Sequence, residues 1–360
     1  MPATYRIDLR GADGTLKAVL PALANGGVLA LTYRKVVNAP GLLVFTLNAD
    51  DDAAGMLEHR GIVEVWRKDD GVAWYRDFSG LILRRQYRYT DRNTVTVYCP
   101  GVVWLLGTRH VLYYAGTADK TDFTSDPAET IANTLVTYNA TSSATTTAGR
   151  IRNGAISVLS AEAAGTAGNT LDWYCSWKNL LETLQGIARV GGGDFDVVQT
   201  SDAAFEWRWY DGQLGTDRTD TVTFALEYGN MADPLYNHDR RDEVGIVVAL
   251  GQGEGSDRVT AVRTSGDADV ELIADARDVT STAGLRARAD AKLVERQAVQ
   301  EFGFRAVATP ATVYGLHYFL GDLVTARYGS VVEVTRKVVA VDVTLNEDGS
   351  ETVTPEFGTP

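Results

Sequence analysis

Apolar and polar residues alternate with a period of two over much of this chain, the pattern of strands with one face on a core. Tyr5-Arg6-Ile7-Asp8-Leu9-Arg10 alternates, Gly11 to Gly14 turns, and Leu16 to Leu20 resumes. Leu29 to Val37 and Gly41 to Leu47 are further strands, and Asp residues at 50–52 open a short helix over Ala53 to His59. The spacing of these acids does not match a calcium loop.

Two stretches carry the same order of elements. Leu57 to Cys99 and Leu316 to Glu356 each approach a glycine, Gly61 or Gly321, and enter an alternating strand. A glycine turn follows, Gly71 or Gly329, and then a long hairpin closing with Thr94-Val95-Thr96-Val97 or Thr352-Val353-Thr354. Gly71 to Val95 and Gly329 to Val353 are both 24 residues apart. The spacing predicts two similar β-barrel-like domains, one toward each end. Gly101 to Arg109 reads as a short helix or a buried strand.

The middle changes period. Asp126-Pro127-Ala128-Glu129 is a helix opening, with Asp as N-cap and Glu in a capping-box position, and Ile131, Leu135 and Val136 form its stripe. Thr141 to Gly149 reads as an exposed loop. Ser176 is the expected cap of a second helix, Trp177 to Val190, stopped by Gly191-Gly192-Gly193. Asp194 to Val198 and Phe205 to Tyr210 predict an antiparallel pair. Later, Val244 to Leu250 and Arg258 to Arg263 pair across a glycine-rich turn, and Ser281 caps a helix over Thr282 to Val299. The fold class expected is mainly β with α+β. Its domains are 1–112 (first β-barrel-like), 113–230 (central α+β) and 231–360 (second β-barrel-like, with an inserted helix).

Composition narrows the function classes. At 360 residues, 45% hydrophobic and 22% charged, the chain folds rather than staying extended. A net charge of −13 argues against a protein that grips a phosphate backbone, although nucleic acid could pass an acidic wall. The first ten residues hold no signal-peptide core, and no apolar run is long enough to span a membrane. Cys99 and Cys175, the only cysteines, belong to no CxxC pair and read as buried free thiols of a reducing compartment.

Candidate chemistry is sparse. Gly251-Gln252-Gly253-Glu254-Gly255 follows a strand, but a β pattern rather than a helix comes next, so a hairpin turn replaces a phosphate cradle. His59, His110, His238 and His317 form no metal spacing. His238-Asp239-Arg240-Arg241-Asp242 reads as a salt-bridged loop. Arg84 to Tyr89 alternates basic and aromatic residues as a single-stranded nucleic-acid platform would, but the exposed face of a long hairpin explains the row better in a chain this acidic. No catalytic, cofactor-binding or metal-ligating residue is assigned, and no cofactor is expected. Trp74, Trp207 and Trp209 leave a second reading, a non-enzymatic carbohydrate- or receptor-binding module.

Several phrases in order carry a resemblance. Gly61-Ile-Val-Glu-Val, Phe78-Ser-Gly-Leu-Ile, Val95-Thr-Val-Tyr-Cys, Ser176-Trp-Lys-Asn-Leu-Leu-Glu-Thr-Leu, Val248-Ala-Leu-Gly-Gln-Gly-Glu-Gly and Tyr318-Phe-Leu-Gly-Asp-Leu-Val resemble the tail hub proteins of long-tailed phages and prophages. That family is related to the baseplate hub of contractile tails and to the N-terminal part of tail-associated lysins. The resemblance implies a structural homotrimer at the virion tail tip, assembled in the host cytoplasm. Two similar barrels per subunit would present six faces to the distal tail ring. The other end would keep threefold contacts for a tip, fibre or spike protein, with the tape-measure protein as a further partner and DNA passing through the lumen without specific binding. The lysins continue into a fibre or peptidase domain; with the chain ending at Pro360, no lytic activity is expected.

Overall fold

The computed structural model describes residues 3–21, 28–113, 119–266, 269–346 and 349–360. Residues 114–118, just past the boundary expected at 112/113, lie outside them. The chain forms two compact units, one of Met1–Asn230 with Ala306–Pro360 and a smaller one of Met231–Arg305. The fold class is mainly β with α+β parts, as expected. No sheet closes on itself among the described residues, so the barrel-like segments are open sheets.

In the larger unit the chain begins β1 (Thr4–Arg10), β2 (Leu16–Pro21), β3 (Ala30–Val36), β4 (Ala39–Asn48) and α1 (Asp52–Gly55). It continues β5 (Ile62–Lys68), β6 (Tyr75–Leu81), β7 (Arg84–Tyr89), β8 (Asn93–Pro100) and α2 (Trp104–Gly107). Strands β2, β1, β5 and β6 form one antiparallel sheet, with Ile7 opposite Val65 and Leu9 opposite Val63, all four buried.

The central block adds β9 (Asp122–Pro127), α3 (Ala128–Ala140), β10 (Leu159–Ala161), β11 (Thr170–Tyr174), α4 (Leu180–Gly191), β12 (Gly193–Gln199), β13 (Phe205–Asp211) and β14 (Thr223–Ala225). Helices α3 and α4 bury Ile131, Leu135, Leu184 and Ile187 with Phe195, Phe205 and Trp207. Ile62, Leu81 and Val102 join the same core, so the central block shares its interior with the first strands.

Three local expectations are corrected here. Trp177 has φ +64, so the chain turns at that point and α4 starts later, capped by Asn179, whose Oδ1 accepts from Leu181 N at 3.0 Å. Asp126 lies in β9 and Pro127 holds the N-cap position of α3. Glu129 serves the loop after β10 instead of the helix end, accepting from Gly165 N (3.1 Å) and Ala167 N (2.8 Å). The stretch 141–149 is not wholly exposed, since Thr141 and Ala144 are buried near Arg150, whose guanidinium donates to the carbonyls of Arg152 and His110.

The smaller unit contains β15 (Met231–Asp239), β16 (Ile246–Leu250), β17 (Thr260–Thr264), β18 (Glu271–Asp275), α5 (Thr282–Glu295) and β19 (Val299–Ala306). Strand β16 pairs antiparallel with β17 and parallel with β18. Helix α5, capped by Ser281 as expected, covers them with Leu285, Ala289 and Leu293 on Val247 and Ala249. Strands β15 and β19 make a separate two-stranded ribbon.

The chain then returns to the larger unit with β20 (Leu323–Tyr328), β21 (Val332–Leu345) and β22 (Glu351–Gly358). An eight-stranded sheet runs β14-β20-β21-β3-β4-β8-β7, with β22 also on β21. Strands from near both ends of the chain, β3 and β4 with β20 to β22, thus share one sheet.

The two similar stretches build the same joint. Arg60 N donates to Ile82 O (2.8 Å), and Ile82 N donates to Gly61 O (2.9 Å). Likewise Gly321 N donates to Val338 O (2.8 Å), and Val338 N donates to Asp322 O (2.9 Å). The leading residue is left-handed in both, φ +63 at Arg60 and +86 at Gly321. Two residues facing one, with the first left-handed, is a β-bulge that bends the strand pair. One copy breaks the long strand at Ile82 and Leu83 into β6 and β7, which serve different sheets; the other keeps it whole as β21.

Candidate functional site

The larger unit holds a seam of buried charge where its sheets meet. Arg67, at the end of β5, is fully buried. Its guanidinium donates to both Asp69 carboxylate oxygens (2.9 Å each), to Tyr5 Oη (2.6 Å), to the Tyr314 carbonyl (2.8 Å) and to Glu351 (3.1 Å). One side chain therefore ties β1, β5, the 314 turn and β22. Burial alone would lower its pKa; Asp69 and its other partners reverse this, so it stays charged. Burial also lifts the Tyr5, Tyr75, Tyr314 and Tyr318 hydroxyls, keeping them neutral.

Beside it, Asp77 receives Lys35 Nζ at 2.7 Å and Tyr314 Oη at 3.0 Å, with Tyr33 Oη as a third donor. Burial pushes the Asp77 carboxyl up, but Lys35 and the hydroxyl donors outweigh it and hold it below the usual carboxylate range. Buried charges satisfied on this scale fix geometry, because removing one partner strands another without water.

Three further carboxylates act as joints. Buried Glu64 receives Arg10 (3.1 Å), Trp66 Nε1 (3.0 Å) and Gln199 Nε2 (2.7 Å), linking β1 and β5 to β12. Asp194 receives Asn38 Nδ2 (3.0 Å) and Leu214 N (2.7 Å) and pairs with Lys337. Asn38, left-handed at φ +59, also accepts from Phe195 N at 2.7 Å. Asp322 receives Thr216 N, Arg218 and Phe319 N.

A cleft of about 280 Å³ opens next to the seam, lined by Lys35, Arg76, Asp77, Asp196 and Gln199 around Phe78. Burial pushes the Asp196 carboxyl up to about 6. Both cations of the cleft are already engaged, Lys35 by Asp77 and Arg76 by Glu64 and Gln199 O. The cleft pairs no nucleophile with a base; Ser79 Oγ donates to the Gln199 amide instead.

The residues weighed in the sequence stay apart. No cluster of three metal-type side chains occurs among the described residues. His317 accepts from Val313 N at 3.0 Å, a turn contact. Cys99 and Cys175 are free and buried. The Gly251 to Gly255 stretch connects antiparallel β16 and β17. Trp207 and Trp209 are core residues, and the Arg6 guanidinium covers Trp74 at 5.3 Å, so the three form no stacking platform. Arg84 to Tyr89 is an edge strand, exposed at all six residues. The seam was missed. Its sequence signal is Glu64 and Arg67 set among the apolar residues Ile62, Val63, Val65 and Trp66 of β5.

The fold is similar to that of solved prophage tail proteins. The 43 kDa tail protein of prophage MuSo2 from Shewanella oneidensis superposes with a TM-score of 0.56 at 12% identity, covering 99% of this chain and 98% of that one. The tail protein of Neisseria meningitidis MC58 gives 0.51 at 13% identity, with 98% and 96% covered. A chain of the Francisella PdpA-VgrG complex gives 0.52 at 9% identity, covering 99% of this chain but 57% of that one. No curated protein matches. The chain belongs to the Siphovirus ReqiPepy6 Gp37-like protein family, which matches residues 24–359.

Proposed function

We propose that this protein is a structural, non-enzymatic tail hub. Three copies form a ring at the distal end of a phage tail, adapting a sixfold tube to a threefold tip, fibre or spike protein. The observation that carries this is the repeated bulge of Arg60 and Gly321, which makes two similar strand units in one chain. A trimer of such chains offers six similar faces to a sixfold neighbour while its other contacts stay threefold. The tube-forming segments lie in 1–112 and 231–360, with 113–230 toward the distal side. The buried seam suits such a part, because it locks strands from opposite ends of the chain into one stiff body.

A net charge of −13 favours passage of DNA through the lumen over retention of it. Beyond the distal tail ring and the tip protein, the tape-measure protein is a further partner inside the tube. Among the described residues no helix is long and apolar enough to cross a membrane. Assembly takes place in the host cytoplasm, and the mature site is the virion tail tip.

Electron microscopy and sedimentation of the purified protein test the reading. An annulus with three copies is the expected result. A monomer that stays monomeric at all accessible concentrations overturns it.

A further inference from the structure

We infer that the open edge of β7 receives the β15–β19 ribbon of a second copy of this chain. The inference rests on the ring reading above and names the contact that closes the ring.

Strand β7 ends its sheet, pairing only with β8 among the described residues. Arg85 lies opposite Val97 and Tyr87 opposite Val95, so Arg85, Tyr87 and Tyr89 project from the face on which both valines are buried. Yet Tyr87 is 57% exposed and Tyr89 78%. The strand overhangs the core, and its inner face is uncovered. An open edge with exposed aromatics is a template for another strand.

The chain itself shows what such an edge takes. Strand β21 holds the place in the C-terminal repeat unit (Leu316 to Glu356) that β7 holds in the N-terminal one (Leu57 to Cys99), with β22 on one edge as β8 lies on β7. The other edge of β21 is filled: Ala340 to Leu345 pair antiparallel with Val36 to Leu31 of β3. That contact sets Arg34 of β3 against Asp342 of β21 as an ion pair. Strand β3 belongs to the β3–β4 hairpin that precedes the N-terminal unit in sequence.

The corresponding place before the C-terminal unit is taken by β15 and β19, with residues 240–298 between them. These strands pair only with each other among the described residues. Leu235 of β15 is 70% exposed and Val299 of β19 is 51% exposed. A bare two-stranded ribbon holds poorly in water without a third strand or a covering layer. Charge completes the match. β7 carries Arg84, Arg85 and Arg88 and no acid; β15 carries Asp233 and Asp239 and no lysine or arginine. The surface pairs Asp233–Arg305 and Asp239–Arg241 are exposed enough to exchange partners cheaply. Each copy would give a ribbon and receive one, a head-to-tail contact that closes into a ring.

Cysteine mapping tests this with two full-length copies carrying tags of different size. One copy carries Arg84→Cys, Gln86→Cys or Arg88→Cys; the other carries Asp233→Cys, Leu235→Cys or Asn237→Cys. Mild oxidation should give mixed-tag disulfide dimers for at least one combination and none when either cysteine is absent. Arg84→Glu with Arg88→Glu should weaken self-association about tenfold or more at low salt. Rings that form without a cross-link in any combination overturn the edge assignment and leave the ring reading standing. The same follows if disulfides form only between copies carrying the same tag, or if the double Glu variant associates normally. Persistent monomers overturn both.

Discussion

Arg67 and Glu351, 284 residues apart in sequence, meet at 3.1 Å with the guanidinium fully buried. The contact pins the last strand of the chain to the third strand of its first sheet. Arg67→Met would leave Asp69 buried without its counter-charge. We expect a loss of about 3–5 kcal/mol, against under about 1 kcal/mol for Arg34→Ala at the exposed Arg34–Glu356 pair. All seven tryptophans lie in the larger unit, so their fluorescence in urea reports that unit alone. Equal losses for the two variants would refute the special role of the seam.

The two carboxylates of the cleft pull stability in opposite directions with pH. Asp77 titrates below its ordinary value of 3.8 when folded. Between those two values the unfolded chain binds the extra proton, so this contribution is full above about pH 4 and is lost as pH falls through the folded value. Asp196 titrates at about 6 when folded against 3.8 ordinarily. Here the folded state holds the proton, so stability falls as pH rises from about 4 to 6 and then levels. Asp196→Asn should therefore stabilise the protein at pH 7 by about 1–3 kcal/mol and flatten the profile between pH 4 and 6. An unchanged profile across that window would show that Asp196 is not the group responsible.

Much of the local structure was legible from the chain alone, because it depends on neighbours in sequence. The β12–β13 pair, the stop of α4 at left-handed Gly192 and the Ser281 cap of α5 follow from period and capping chemistry. The seam was not legible for the opposite reason. Arg67, Asp77 and Glu351 each look like a surface charge within their own strand, and only tertiary contact makes them partners. The same limit hid the shared sheet: nothing near β3 announces that its neighbour will be β21. The short β4-side turn at Asn38 was also unreadable, since its left-handed backbone is paid for by bonds to Asp194 and Phe195 far along the chain.

Both thiols should be silent in the folded protein. Cys99 and Cys175 are buried, and burial pushes the Cys175 thiol up to about 11 and Cys99 further still. A thiol reacts as its thiolate, so alkylation at pH 8 should label neither at an appreciable rate, and should label both once urea unfolds the larger unit. Rapid labelling of Cys175 in native buffer would mean that the segment around Trp173 opens far below the global transition.

The twin bulges allow a comparison of one backbone geometry served by two residue types. Arg60 adopts φ +63 with an exposed side chain, a conformation costing an L-residue roughly 1–2 kcal/mol. Glycine relieves that strain and returns part of the gain as unfolded-chain entropy, so Arg60→Gly should raise stability by about 0.5–1 kcal/mol. Gly321→Ala should do the reverse. Its φ is +86, and a Cβ there would sit 2.6 Å from Gly215 N and 2.8 Å from Leu214 Cβ. The loss expected is about 1–3 kcal/mol. Thermal unfolding followed by tryptophan fluorescence should move up for the first variant and down for the second. If Arg60→Gly lowers the midpoint instead, Arg60 contributes more through its side chain than its backbone costs, and the two bulges are not equivalent.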